Sequence, residues 1–165
     1  NYVTSITNTI SQRFICLQRS GKGSFTMRST FHYLIMAEHA MLQKELLSKL
    51  KGTGLTIGQP KVLDYLKDHD GASQKEIARG CHIEPGTLTS LLNRMAESGL
   101  VERRMLHGNR RSFYIFLTEH GKMQLKRVTK AFEELEKKAF RGISEEDRET
   151  FLNLLSQIYR NSSDV

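Results

Sequence analysis

The chain has 165 residues, 38% hydrophobic and 26% charged, and its 25 Lys and Arg outnumber 18 Asp and Glu for a formal charge of +7. That length suits one domain, or a small domain plus an extension, with a sizeable core. No apolar run approaches the ~20 residues of a membrane span, and two cysteines, Cys16 and Cys81, make no disulfide scaffold and fit a reducing compartment, the cytoplasm. There is no P-loop, G-x-S-x-G, H-E-x-x-H or dinucleotide fingerprint, so neither catalysis nor a cofactor is expected. The basic balance favours a polyanionic partner.

Residues 1–26 are rich in Ser, Thr and Asn, and no acidic residue precedes Glu38. Two readings stay open. One takes them as upstream sequence, a tag remnant or a misplaced start before Met27. The other is an extension helix with Ile6, Ile10, Phe14 and Leu17 on its apolar face. Residues 29–51 form an amphipathic helix, with Phe31, Leu34, Ile35, Leu42, Leu46 and Leu50 at three- and four-residue steps. Residues 56–69 form the next, opened by a Thr56/Gln59 capping box and turning inward Val62, Leu63 and Leu66.

Residues 73–118 organise the rest. Ser73 with Glu76 forms a capping box for a short helix, which Gly80 is expected to close in a left-handed conformation. Pro85 opens a second helix, Leu88, Leu91, Leu92 and Met95 line one side of it, and Gly99 stops it. Two short helices across a tight turn make a helix-turn-helix, whose second helix can enter a DNA major groove. Residues 100–106 and 112–118 have strand composition around the turn His107-Gly108-Asn109, giving a hairpin with a basic tip, Arg110 and Arg111. Such a wing reaches a narrow minor groove.

Thr118 caps a long helix to about Arg141, with Leu125, Val128, Phe132, Leu135 and Phe140 on one side, and Gly142 breaks it. Ser144, followed by Glu145, Glu146 and Asp147, caps a last helix with Phe151, Leu154, Leu155, Ile158 and Tyr159 on one face. Seven basic and four acidic residues lie in 73–111, against two basic and five acidic in 144–165. The basic end is therefore the helix-turn-helix, the charge distribution of a nucleic-acid binder.

The expected contacts follow. Gly86, Thr87, Thr89 and Ser90 lie near the start of the second helix, where base edges are in reach. Asn93 can pair with adenine, while Arg94 and Lys75 suit phosphate. Arg103 and Arg104 alternate on a strand, so at most one faces the DNA, and Arg104 is taken as that one. Asn109, Arg110 and Arg111 form the wing contact. The bland alternative for each is a solvated surface, and for the whole chain a winged helix used for protein interaction.

Taken together, Leu55-Thr56-x-x-Gln59-x-x-Val62-Leu63, Thr87-Leu88-Thr89 to Asn93-Arg94-Met95, Gly99-Leu100-Val101-Glu102-Arg103, Asn109-Arg110-Arg111 and Ile115-x-Leu117-Thr118-x-x-Gly121 resemble the MarR family of bacterial winged-helix regulators, over about 31–160. The resemblance implies a mainly α fold with a small two- or three-stranded β-wing. It also implies a homodimer that binds a pseudo-palindromic operator on double-stranded DNA and a ligand-responsive repressor. Residues 55–118 would be the DNA-binding domain, and 27–51 with 119–161 the dimerisation region. The family usually has aspartate where Asn109 stands, and there it orients a wing arginine. Asn109 offers no charge, implying a less tightly preset wing. By family analogy a small aromatic or phenolic effector would meet Tyr33, Met36, His39 and Leu63, positions that serve equally as core. Some relatives sense zinc or oxidants. Here the six histidines make no compact ligand set, so no metal is expected, and Cys81 reads as core filler.

Overall fold

The computed structural model describes residues 30–105 and 113–163. The chain divides into two units, Asn1–Met36 and Ala37–Val165. Of the first, only 30–36 is described, the opening of helix α1 (Phe31–Lys49). The second holds the rest of α1, then α2 (Gln59–Asp68), β1 (Ala72–Ser73), α3 (Gln74–Gly80), α4 (Pro85–Glu97), β2 (Val101–Met105), β3 (Phe113–Leu117), α5 (Glu119–Ala139) and α6 (Glu145–Ser163). The strands form one antiparallel sheet in the order β1-β3-β2. This is the expected mainly α fold with a β-wing, and its sheet has three strands. The two-residue β1 pairs Ala72 with Ile115 and Ser73 with Tyr114. The readings of 1–26, Cys16 and the wing tip 107–111 lie outside the described residues.

The expected apolar positions of α2 and α4 and Val128 of α5 build the core, joined by Ile77 and Ile115. Val62, Leu63 and Leu66 of α2, Ile77 of α3, Leu88, Leu92 and Met95 of α4, Ile115 of β3 and Val128 of α5 have no exposed surface. Helical spacing explains α4, where buried residues recur at steps of three and four and every other position out to Glu97, save Ala96, is exposed. Its C-terminus is closed by Gly99 at φ 67°, whose N–H donates to the Ala96 carbonyl at 3.0 Å, while Leu100 N–H donates to Met95 at 2.8 Å. That pair of bonds is a Schellman motif, and it swings the chain directly into β2.

Three local expectations need correction. Gly80 is not a left-handed stop. It is the last residue of α3, and the positive φ in the turn belongs to His82, at 48°. Gly80 is small because a Cβ there would lie 2.1 Å from Cε2 of Tyr65, so α3 packs on that ring. Thr56 does not cap α2, since Gly58 holds the N-cap at φ 88°. Gln59 does reach back, accepting from Thr56 N–H at 2.8 Å, so half of the expected box forms one turn early. Finally, the stripe of α1 is core only at its C-terminal end, where Leu46 and Leu50 are buried and Leu42 is partly so. Lys49–Glu134 at 2.6 Å and Glu45–Lys138 at 2.5 Å join that end to α5, exposed pairs that solvent screens and that contribute little to stability.

Candidate nucleic-acid interface

The reading helix is held from both ends. Ser73 caps α3 in a full capping box: its hydroxyl and N–H both donate to Glu76 Oε2 at 2.7 Å, and Glu76 N–H donates back to Ser73 Oγ at 3.3 Å. Those bonds hold the Glu76 carboxyl below the usual carboxylate range, the Ser73 hydroxyl contributing most. From the first turn of α3, Gln74 Nε2 donates to Thr89 Oγ1 at 2.5 Å, and Thr89 Oγ1 donates to the Pro85 carbonyl at 2.8 Å. Thr89, expected as a DNA contact, thus has its hydroxyl committed to the joint between α3 and α4. Ser90 makes only a long bond to Gly86 O, 3.4 Å, so its hydroxyl is nearly free.

Gly86, Thr87, Ser90, Asn93 and Arg94 all lie on the exposed side of α4. A Cβ on Gly86 would meet nothing within 4 Å, so no packing inside the chain requires glycine there. Lys75 and Arg79 line a groove of about 710 Å³ beside α3 and the entry to α4, with Gln74, His82, Glu84 and Pro85. Among the described residues, Lys75, Arg79 and Arg94 make no ion pair.

The two strand arginines part company, as alternation requires. Arg103 pairs in register with buried Ile115, on the core side of β2, and its Nη2 donates to Asn93 Oδ1 at 2.7 Å. Arg104 is turned the other way, ion-paired with Glu102 and 4.6 Å above the Phe116 ring. Of the two, Arg103 adjoins the reading helix, and Arg104, named from sequence, does not. The signal was available: Val101 and Arg103 share one strand face, and Val101 is plainly core.

The expected effector residues divide. Leu63 is wholly buried and offers no surface to a ligand. His39 is exposed in the second unit, and Tyr33 and Met36 are exposed in the first. Cys81 is buried and its thiol pushed up by that burial. Among the described residues no three His, Cys, Asp or Glu are grouped to hold a metal, and no helix is long and apolar enough to cross a membrane.

Known proteins share this arrangement. The MarR family model matches residues 55–113. The HTH-type transcriptional repressor YetL of Bacillus subtilis is 30% identical over 115 residues, 68% of each chain. MepR of S. aureus, solved with DNA, superposes with a TM-score of 0.73 at 26% identity, over 80% of this chain and 97% of that one. CouR matches in fold both on a 23-mer DNA duplex (TM-score 0.73, 23% identity, 85% and 99% covered) and, from Rhodococcus jostii RHA1, with p-coumaroyl-CoA (0.68, 20%, 82% and 93%). The chain belongs to the MarR family of winged helix-turn-helix transcriptional regulators.

Proposed function

We propose that the protein is a homodimeric repressor that binds a pseudo-palindromic operator on double-stranded DNA and releases it on binding a small effector. The observation that carries this reading is the exposed stripe Gly86, Thr87, Ser90, Asn93 and Arg94 on a helix fixed at both ends, beside basic residues without ion-pair partners among the described residues. Such a helix lies in a major groove with its N-terminal residues at base edges. Lys75, Arg79 and Arg94 meet phosphates, and Arg110 and Arg111, with Asn109, extend toward the adjacent minor groove. MepR and CouR, both solved on DNA, support the mode.

The dimer rests on α6. None of its 19 residues is buried, and Phe151, Leu154, Ile158 and Tyr159 are exposed. A monomer rarely leaves so continuous an apolar face to water. Residues 27–51 and 119–161 therefore make the dimerisation region, and 55–118 the reading head. Two-fold symmetry puts half-sites roughly 34–36 Å apart. CouR with p-coumaroyl-CoA is a precedent for a phenolic effector, which shifts the equilibrium only through unequal affinity for the two head spacings. The work is done in the cytoplasm without catalysis.

The test is a salt series of binding to promoter DNA of the protein's own gene, against scrambled DNA of equal length. A preference of about 10³-fold or more with a steep salt slope is expected. Absence of binding at low salt, or an unchanged slope in Arg110→Ala with Arg111→Ala, would overturn the reading.

A further inference from the structure

We propose that Arg103 is a positioning residue for sequence readout, fixing the Asn93 carboxamide so that Asn93 meets the major groove as a hydrogen-bond donor. The inference rests on the DNA-reading role of α4. An arginine has only donors, so the 2.7 Å bond from Arg103 Nη2 decides which end of the Asn93 amide faces β2: the oxygen. The NH₂ end is left for the groove. Arg103 is itself anchored. It stands opposite Ile115, on the core face of the sheet, and its Nε is buried there. Its guanidinium therefore stays at the seam between α4 and β2. Asn93 is exposed, three residues beyond Ser90 and seven beyond Gly86, on their stripe.

The chemistry of the readout follows. Asparagine selects adenine by accepting from N6 and donating to N7 together. With its oxygen turned to Arg103, Asn93 instead seeks an acceptor: N7 of either purine, O6 of guanine or O4 of thymine, and it loses the two-bond pairing that singles out adenine. The donor edge of cytosine is rejected. This replaces the adenine pairing expected from sequence and adds a role for Arg103 that excludes direct contact with a base.

The test is the binding of wild-type protein and variants to operators substituted at each position in turn. Asn93→Asp keeps a partner for Arg103 but has no donor. It should lose about 5- to 150-fold in discrimination at one position per half-site, shifting preference there toward cytosine. Arg103→Met frees the amide to turn and should shift preference toward adenine at that same position, through N6 and N7 together, other positions unchanged. Arg103→Lys, which retains a donor, should restore the wild-type profile. Arg104→Gln removes an equal charge from the far face of the sheet and should leave the base profile unchanged. A profile unchanged in Arg103→Met but altered in Asn93→Asp would show that Asn93 needs no positioning. A profile unchanged in both would remove Asn93 from readout. Either overturns the proposal while leaving the regulator intact, whereas wild-type protein indifferent to sequence would overturn the DNA reading itself.

Discussion

His82 and Tyr159 lie 77 residues apart in sequence, yet the Tyr159 hydroxyl and His82 Nε2 share a hydrogen bond of 2.7 Å. Their rings meet edge to face, centroids 5.5 Å apart. His82 is also the one non-glycine with positive φ among the described residues. The turn of the helix-turn-helix is thus tied to the C-terminal helix at its most strained residue, where a left-handed backbone costs ~1–2 kcal/mol. A double-mutant cycle of His82→Ala and Tyr159→Ala, read by chemical denaturation, should give a coupling of about 0.5–1.5 kcal/mol. Tyr159→Phe should lose only the hydrogen-bond share, at most ~1 kcal/mol. Strictly additive single effects would mean that the contact contributes nothing.

Three glycines should respond to alanine in different ways. At Gly121 a Cβ would lie 2.0 Å from the Leu100 carbonyl oxygen, which is backbone and cannot yield cheaply. At Gly80 the obstacle is the Tyr65 ring, 2.1 Å away, which can swing aside. Overpacking of this kind costs about 1–3 kcal/mol, so Gly121→Ala should stand at or above the top of that range and Gly80→Ala below it. Gly86→Ala meets nothing and should stabilise the helix by roughly 0.5–1 kcal/mol while weakening operator binding. Denaturation curves with DNA titrations separate the cases. A Gly86→Ala protein with unchanged affinity would show that DNA does not approach that backbone.

The capping box of α3 has a pH signature. Glu76 is held below its ordinary pKa by the Ser73 hydroxyl and then the Ser73 N–H. A depressed carboxylate contributes stability that is complete above the unfolded pKa, about 4.3, and is lost as pH falls through the lower folded value. Glu76→Gln should therefore lose this contribution above about pH 4, flatten the acid limb below it, and converge with wild type at still lower pH. Ser73→Ala should cost ~1 kcal/mol at pH 7. An acid limb identical in wild type and Glu76→Gln would place the proton uptake elsewhere.

The helix N-caps show how far a sequence carries the fold. Ser73 with Glu76, Thr118 with Gly121 and Ser144 with Asp147 each close within three residues, so residue type and spacing suffice to find them. Thr56 failed because Gly58, two residues on, accepts the positive φ that the real helix start requires. Contacts between distant segments left no local trace. Asp70 Oδ1 accepts from Leu117 N–H at 2.8 Å and Gln74 reaches Thr89, but only the assembled sheet and helices bring them together. The exposed stripe of α4 was legible from periodicity. Which of its hydroxyls is free depended on tertiary packing, whereas the arginine beside it was within reach of strand alternation, which sets Arg103 on the face of Val101.

Cys81 should be chemically quiet. It is buried beside the Lys61 carbonyl, 3.8 Å from its sulfur, and burial raises its pKa, so little thiolate exists at neutral pH. Alkylation of the native protein, followed by peptide mass analysis, should leave the Cys81 peptide unmodified until denaturant is added. Labelling at native stability would reveal an opening of the α2–α3 contact and would revive a redox role.

The apolar face of α6 gives the sharpest test of assembly. Leu154 and Ile158 are 57% and 38% exposed within one chain, so replacing them with glutamate should not disturb that chain's own core. If a second copy covers them, each loses only the exposed share of the ~1.5–3 kcal/mol that full burial contributes, roughly 0.6–1.7 kcal/mol. In a two-fold interface each substitution occurs twice, so one variant should weaken association by roughly 1–3 kcal/mol, about 5- to 150-fold in the dimer dissociation constant. Operator affinity should fall with it, because a monomer engages one half-site without the effective concentration that a linked partner supplies. Sedimentation equilibrium measures the first effect and DNA titration below the dimer dissociation constant the second. Unchanged association in both Leu154→Glu and Ile158→Glu would mean that the two reading heads are joined by some other surface.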